Sequence, residues 1–145
     1  MRLSKRTEYG LRAIVQLGRL WPATYVQSRD LASGEDLPNK FLESILLALR
    51  RGGFLESKVG SGGGYKLSRA PRQINIGDVV RRLEGRLTYA DAGAPPETSP
   101  GKMAVRLINE RLTQATDDVM NAITLETLME EIAQATSQSQ EMYYI

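Results

Sequence analysis

Neither cysteine nor histidine occurs among the 145 residues. That excludes disulfides, thiolate nucleophiles, histidine general bases and nearly all zinc, haem and iron–sulfur ligation. The remaining oxygen donors suit calcium or magnesium, yet no spacing resembles an EF-hand loop, so no metal or cofactor is expected. Long apolar runs are missing too. The longest, Ile45 to Leu49, is far too short to span a bilayer. Behind the basic N-terminus the apolar stretch is broken by Arg12 and Arg19, unlike a secretory signal. The expectation is a cytoplasmic protein with no membrane partner.

Charge is present but unevenly placed. Residues 1–75 carry 13 Lys/Arg against 6 Asp/Glu, a net +7, whereas residues 76–145 carry 6 against 11, a net −5. A basic half suits a polyanion and an acidic half suits a protein contact; the bland alternative is a chance division of solvated surface.

Within the basic half, Leu37 to Ser68 reads as a helix followed at once by a β-hairpin. Phe41, Leu42, Ile45, Leu46 and Leu49 recur at helical spacing and leave Asn39, Lys40, Glu43, Ser44, Arg50 and Arg51 outward. Gly52-Gly53 ends the helix by supplying a left-handed conformation. Phe54–Val59 and Tyr65–Ser68 then flank the loop Gly60-Ser-Gly-Gly-Gly64, with Lys58 and Lys66 near its tip. The loop is not a phosphate-binding P-loop, because Tyr65 stands where lysine is required and a strand follows. The dinucleotide fingerprint fails at the same residue. Gly60, Gly62 and Gly63 instead suit a wing that brings backbone amides close to DNA phosphates.

Around this unit, Ser4 is placed to cap a helix reaching about Leu20, with Gly10, Ala13, Ile14, Leu17 and Trp21 on one face and Pro22 beyond. Ser28 can cap a short helix ended by Gly34, and the turn Glu35–Leu37 makes a helix-turn-helix. Asn75 can cap a helix striped by Ile76, Val79, Val80, Leu83 and Leu87. Residues 88–101 read as an exposed loop. From Lys102 to Asn121, Val105, Ile108, Leu112, Ala115, Val119 and Ala122 alternate at steps of three and four, a seam for a second copy or, more blandly, an internal core stripe. Thr124 can cap a last helix carrying Leu125, Leu128, Met129 and Ile132. A polar, mobile tail would follow from Thr136, ending in Met142, Tyr143, Tyr144 and Ile145. The fold class expected is mainly α with a small β-hairpin wing. Residues 1–87 would form a winged helix-turn-helix domain, 102–135 the dimerisation helices and 136–145 the tail.

The opening MRLSKRTEYGLRAI, the segment LPNKFLESILLALRRGGFLES with GSGGGYKLS, then INIGDVVRRLEG and NAITLETL closely resemble one family nearly end to end. It is the Rrf-two family of winged-helix transcription regulators, which includes IscR, NsrR and CymR. The resemblance implies a homodimeric DNA-binding repressor and no enzyme. Iron–sulfur members carry three cysteines in the loop corresponding to residues 88–101, where this chain has none. Glu8 sits where some members place an acidic cluster ligand, but no thiolates accompany it. The cysteine-free loop and the ending Tyr143-Tyr144-Ile145 resemble the CymR branch, repressors of cysteine metabolism. In that branch the sensor is a partner enzyme, O-acetylserine thiol-lyase (cysteine synthase), whose active site captures a C-terminal isoleucine carboxylate.

On the recognition helix Glu43, with Asn39 and Lys40, is the expected base reader, because a carboxylate can accept from cytosine N4. Arg2, Lys5, Arg50, Ser57 and Lys58 are expected on phosphates. Relatives often place an arginine just before the first wing glycine, where this chain has Val59. A regulator of the same family answering a small organic effector is the second reading; an enzyme and a pure interaction protein are the others weighed.

Overall fold

The computed structural model describes residues 2–85 and 99–143. They form six α-helices, one 3-10 turn and a two-stranded antiparallel sheet.

Helix α1 (Lys5–Arg19) starts where Ser4 Oγ accepts the Thr7 N–H at 3.2 Å. It buries Gly10, Ala13, Ile14 and Leu17, while Trp21 is only half-buried. Helix α2 (Ser28–Glu35) departs from expectation at both ends. Gln27 holds the N-cap position, so the Ser28 hydroxyl does not cap the helix, and the helix runs straight through Gly34. It ends at Asp36, whose φ of 54° and N–H bonds to the Ala32 and Ser33 carbonyls close the turn. A short polar residue tolerates that left-handed conformation, so glycine is not required.

Helix α3 (Asn39–Arg51) buries Leu42, Ile45, Leu46 and Leu49. Phe41, expected in the same stripe, lies at its edge and is 38% exposed, its ring edge-on to Tyr9 at 5.6 Å. Gly53, with φ 84°, turns the chain into the hairpin. Strands β1 (Leu55–Lys58) and β2 (Gly64–Leu67) pair Leu55 with Leu67 and Lys58 with Gly64. The first is two residues shorter than the expected Phe54–Val59, and the second has the expected four residues but starts one residue earlier. An unforeseen isolated bridge joins Val26 to Tyr65 through two 2.8 Å backbone bonds, tying the wing to the α1–α2 linker. A side chain at Gly64 would collide with the Val26 carbonyl.

After the 3-10 turn Pro71–Gln73, Asn75 Oδ1 accepts the Asp78 N–H and starts α4 (Ile76–Glu84), which buries Ile76, Val79, Val80 and Leu83. Leu87 and most of the expected loop 88–101 lie outside the described residues. Helix α5 (Pro100–Asn121) begins two residues before the expected Lys102, and none of its residues is buried. It is held at its C-terminal end: Arg81 Nη2 donates to Asn121 Oδ1 at 2.6 Å, and Asn75 Nδ2 to the Asn121 carbonyl at 2.8 Å.

Helix α6 (Leu125–Tyr143) follows Thr124, whose Oγ1 accepts the Thr127 N–H. Its first residue, Leu125, is fully buried in the α1–α4 core. Gly18 of α1 leaves room for Leu125 and Met129, which a methyl group there would strike. The helix continues through 136–143, where the polar composition suggested an irregular tail. No glycine or proline interrupts this segment, and the Thr136 and Ser139 hydroxyls bond to carbonyls one turn back, satisfying themselves within the helix.

Candidate nucleic-acid interface

The first turns of α3 put Asn39, Lys40 and Glu43 side by side on an exposed face, because the opposite face must bury four aliphatic residues. Lys40 makes no ion pair among the described residues. Glu43 Oε1 accepts the Ser28 hydroxyl at 3.4 Å, so the free start of α2 touches the expected base reader. On the adjacent residue, Ser44 Oγ accepts from Arg6 Nη1 at 3.4 Å. The Ser28 contact was not foreseen, because the serine's position suggested a helix cap.

The wing separates its two lysines by role. Lys66 Nζ pairs with Glu56 at 3.1 Å across the hairpin and stands 4.7 Å above the Tyr25 ring. The bond to Glu56 holds this ammonium above its ordinary value. Lys58 is exposed and makes no ion pair among the described residues, so it is the wing cation available to a phosphate. Ser57 is half-buried opposite Tyr65. Gly60 (φ 96°) and Gly62 (φ 74°) are exposed at the tip. Gly63 is different: it is buried, its N–H donates to the Gly60 carbonyl at 3.0 Å, and a side chain there would collide with the Lys58 carbonyl. Its amide shapes the turn and is not free for a phosphate. Val59 is 97% exposed.

Arg2 and Arg50 are exposed, while Lys5 pairs with Glu8 at 3.3 Å. Two further arginines turn inward to the end of α3. Arg69 donates to the Gly53 and Gln73 carbonyls over the Phe54 ring, and Arg82 donates to the Ala48 carbonyl. They cover carbonyls at a negative helix end and brace the α3–wing junction.

A polar helix face beside a glycine-turn hairpin is the surface a winged helix offers a duplex. Residues 3–131 match the family described as Rrf2, iron-dependent transcriptional regulator. The chain belongs to the Rrf2 family. Two Mycobacterium tuberculosis proteins named as HTH-type transcriptional regulators are 41% identical over 87 residues, and that match spans 60% of this chain but only 54% of their length. The Bacillus subtilis HTH-type regulator CymR is 27% identical over 143 residues, 99% of this chain and 97% of its own. Its structure, that of the global cysteine regulator of B. subtilis, superimposes with a TM-score of 0.76 over 90% of this chain and 98% of that one. T. potens IscR superimposes at 0.75 with 26% identity, over 93% and 90%. The winged-helix fold is thereby established, and the Rrf2 relatives are named regulators, not enzymes.

The family description speaks of iron, but a chain without cysteine or histidine offers neither thiolate nor imidazole. Among the described residues no three Asp or Glu gather to hold a metal. These donors do not fit an iron–sulfur cluster. No helix among the described residues is long and apolar enough to cross a membrane.

Proposed function

We propose that this chain is a homodimeric DNA-reading repressor that works without an iron–sulfur cluster and governs genes of cysteine or sulfur metabolism. The observation that carries the DNA-reading part is the exposed trio Asn39, Lys40 and Glu43 on a helix buried behind, next to a wing whose exposed Lys58 has no ion pair among the described residues. The second copy would sit on α5, where Val105 and Val119 are each 61% exposed, Ile108 55% and Leu112 41%, with exposed Ala115 between them. Such a stripe is the seam of a helix pair. Two recognition helices would then enter major grooves about one helical turn, roughly 34–36 Å, apart.

The metabolic assignment rests on the likeness to CymR. On that reading a cysteine synthase docks at the end of α6, where Met142 and Tyr143 are 80% and 92% exposed; Tyr144 and Ile145 lie outside the described residues. Enzyme bound there would strengthen the repressor–DNA complex, and O-acetylserine occupying the enzyme's active site would release it by linkage. Selection of duplexes from a random pool, with and without cysteine synthase, tests the whole. A near-palindromic site enriched more strongly with the enzyme is the expected result. No enrichment overturns the DNA-reading proposal, and enrichment indifferent to the enzyme overturns the partner.

A groove of about 370 Å³ between Trp21, Pro71 and the α6 residues Met129 and Ala133 favours a second reading, direct response to a small organic effector. The chain's single tryptophan lines it. A thermal shift and a tryptophan fluorescence change with sulfur metabolites, in the absence of any enzyme, would support this reading over the partner.

A further inference from the structure

The groove between the end of α1, the 3-10 turn and the start of α6 carries charge as well as apolar surface. Glu126, Met129, Glu130 and Ala133 line it from α6, at steps of three, one and three. That spacing sets all four on one helix face. Met129 and Ala133 make an apolar strip, which Trp21 and Pro71 extend from the other two elements. Glu126 and Glu130 add an acidic edge to the same helix face. Arg72, on the 3-10 turn, is the one cation of the lining among the described residues.

A solvated rim is the bland reading of these charges. Elsewhere in the chain, however, neighbouring opposite charges close on each other: Lys66 on Glu56, Arg81 on Asp78, Arg106 on Glu110. Arg72, Glu126 and Glu130 are exposed, line one groove and form no ion pair among the described residues. Two carboxylates four residues apart on a helix repel mildly, and a cation between them relieves that. The groove thus offers a guanidinium fork for a carboxylate, two carboxylates for an ammonium, and an apolar floor. Its volume of about 370 Å³ is near the low end of the roughly 300–1,000 Å³ of small-molecule sites, which suits a ligand of amino-acid size. The thioether of Met129 and the Trp21 ring suit an unbranched, polarisable side chain.

Two of the three walls lead to the wing. Trp21 precedes the linker whose Val26 bridges Tyr65 of β2. Arg72 belongs to the turn whose Gln73 carbonyl shares Arg69 with the Gly53 carbonyl at the α3–wing junction. A ligand drawn between α6 and these segments bears on both anchors.

On the reading in which this groove takes a small organic effector, we propose that its ligand is a free α-amino acid with an unbranched apolar side chain. Arg72 holds the carboxylate, Glu126 and Glu130 hold the ammonium, and the side chain lies along Trp21 and Met129.

The test titrates the full chain with four probes: L-methionine, its sulfur-free isostere L-norleucine, the amine left by decarboxylating methionine, and the acid lacking only the amino group. Binding is read by calorimetry and from the fluorescence of Trp21, the chain's single tryptophan. Methionine and norleucine are expected to bind saturably. The amine and the acid should each bind at least about tenfold more weakly, for loss of one charge-assisted pair. Arg72→Gln should weaken methionine by a similar factor and leave the amine unchanged. Glu126→Gln combined with Glu130→Gln should weaken methionine and leave the acid unchanged. All three residues are exposed, so thermal unfolding should not move.

Analogues that bind as well as methionine, or variants indifferent to the missing charge, overturn the proposal. Silence toward methionine and norleucine also overturns it; if another sulfur metabolite still binds, the effector reading survives alone, and if none binds, both fall. Binding that follows the expected pattern yet leaves duplex affinity unchanged keeps the site and overturns its role as an effector site.

Discussion

The backbone N–H of Ser4 donates to Glu84 Oε1 at 2.6 Å, joining residues 80 positions apart. One is the cap of α1, the other the last residue of α4. The basic start of the chain, with Arg2, Lys5 and Arg6, is therefore oriented by the far end of the same core rather than left to solvent. Thr7, fully buried beneath this contact, is the one buried polar side chain among the described residues.

Glu84 gives the first prediction. Partial burial pushes its carboxyl pKa up, but hydrogen bonds from the Ser4 N–H and the Thr7 and Ser4 hydroxyls outweigh that and leave it below the ordinary value. A depressed folded pKa contributes stability that is full above the unfolded value and is lost as pH falls through the folded one. Glu84→Gln should cost about 1 kcal/mol at pH 7, discounted for the partly solvated position. The gap between variant and wild type should close below about pH 4.3. Denaturant melts at pH 7 and pH 3.5 measure it; an equal gap at both would contradict the charge-based account.

The wing lysines give the second. Lys58→Ala should lower duplex affinity and reduce the salt slope by about one unit. Lys66→Ala removes an ion pair with Glu56 and a contact to Tyr25, so its slope should stay near wild type. If the two variants exchange behaviours, the assignment of Lys58 as the phosphate contact is wrong.

Most of the architecture is readable from periodicity and punctuation, and the misses have physical causes. Ser4, Asn75 and Thr124 cap helices as their positions suggest, since an oxygen before an apolar-periodic run has few competing uses. Ser28 occupies an equivalent position but lies one residue inside its helix, and its hydroxyl is released toward Glu43. Only the three-dimensional meeting of α2 and α3 shows that. The glycine loop reads correctly as a wing, yet its glycines look alike in sequence; packing alone separates the enclosed Gly63 from exposed Gly60 and Gly62. The polar stretch after residue 135 misleads because polarity suggests a tail, while the absence of glycine and proline lets α6 continue.

Glu43 and Ser28 together give the third prediction. Glu43→Ala should relax discrimination at one base-pair position, by about 1–3 kcal/mol, while raising affinity for unrelated duplexes through the lost carboxylate–phosphate repulsion. Ser28→Ala should weaken the same discrimination by less, because it frees the carboxylate without removing it. Binding to a panel of single-pair variants of the selected site resolves both. Loss at two separate positions in the two variants would show that Ser28 does not act through Glu43.

The fourth prediction concerns α5. Ile108 and Leu112 lie about one turn apart and are exposed, so charged substitutions there should leave the monomer's fold unchanged. Ile108→Glu should raise the dimer dissociation constant at least about a hundredfold, since pairing would bury a carboxylate from each copy in an apolar seam. Sedimentation velocity reads the mass, and circular dichroism confirms the fold. A variant that still sediments as a dimer would place the interface elsewhere.

The end of α6 carries the last prediction, and it separates two ways of controlling the same DNA-reading surface. Met142 and Tyr143 are nearly fully solvated and touch no part of the core that holds α3 or the wing. Removing residues 143–145 should therefore leave duplex affinity within about twofold of the intact chain, as for other solvent-exposed changes. On the proposed partner reading, the same removal should abolish capture of cysteine synthase and any enzyme-dependent gain in duplex affinity. A truncated chain that still binds the enzyme would move the contact off the tail. A truncated chain that loses free DNA binding would mean that α6 supports the recognition surface, a role that its buried Leu125, at the opposite end of the helix, already fills. On the proposed partner reading, the coupling would run from residue 143 to residue 125 along α6. A proline substituted at Gln134 should interrupt that path, costing enzyme-dependent tightening while sparing enzyme capture.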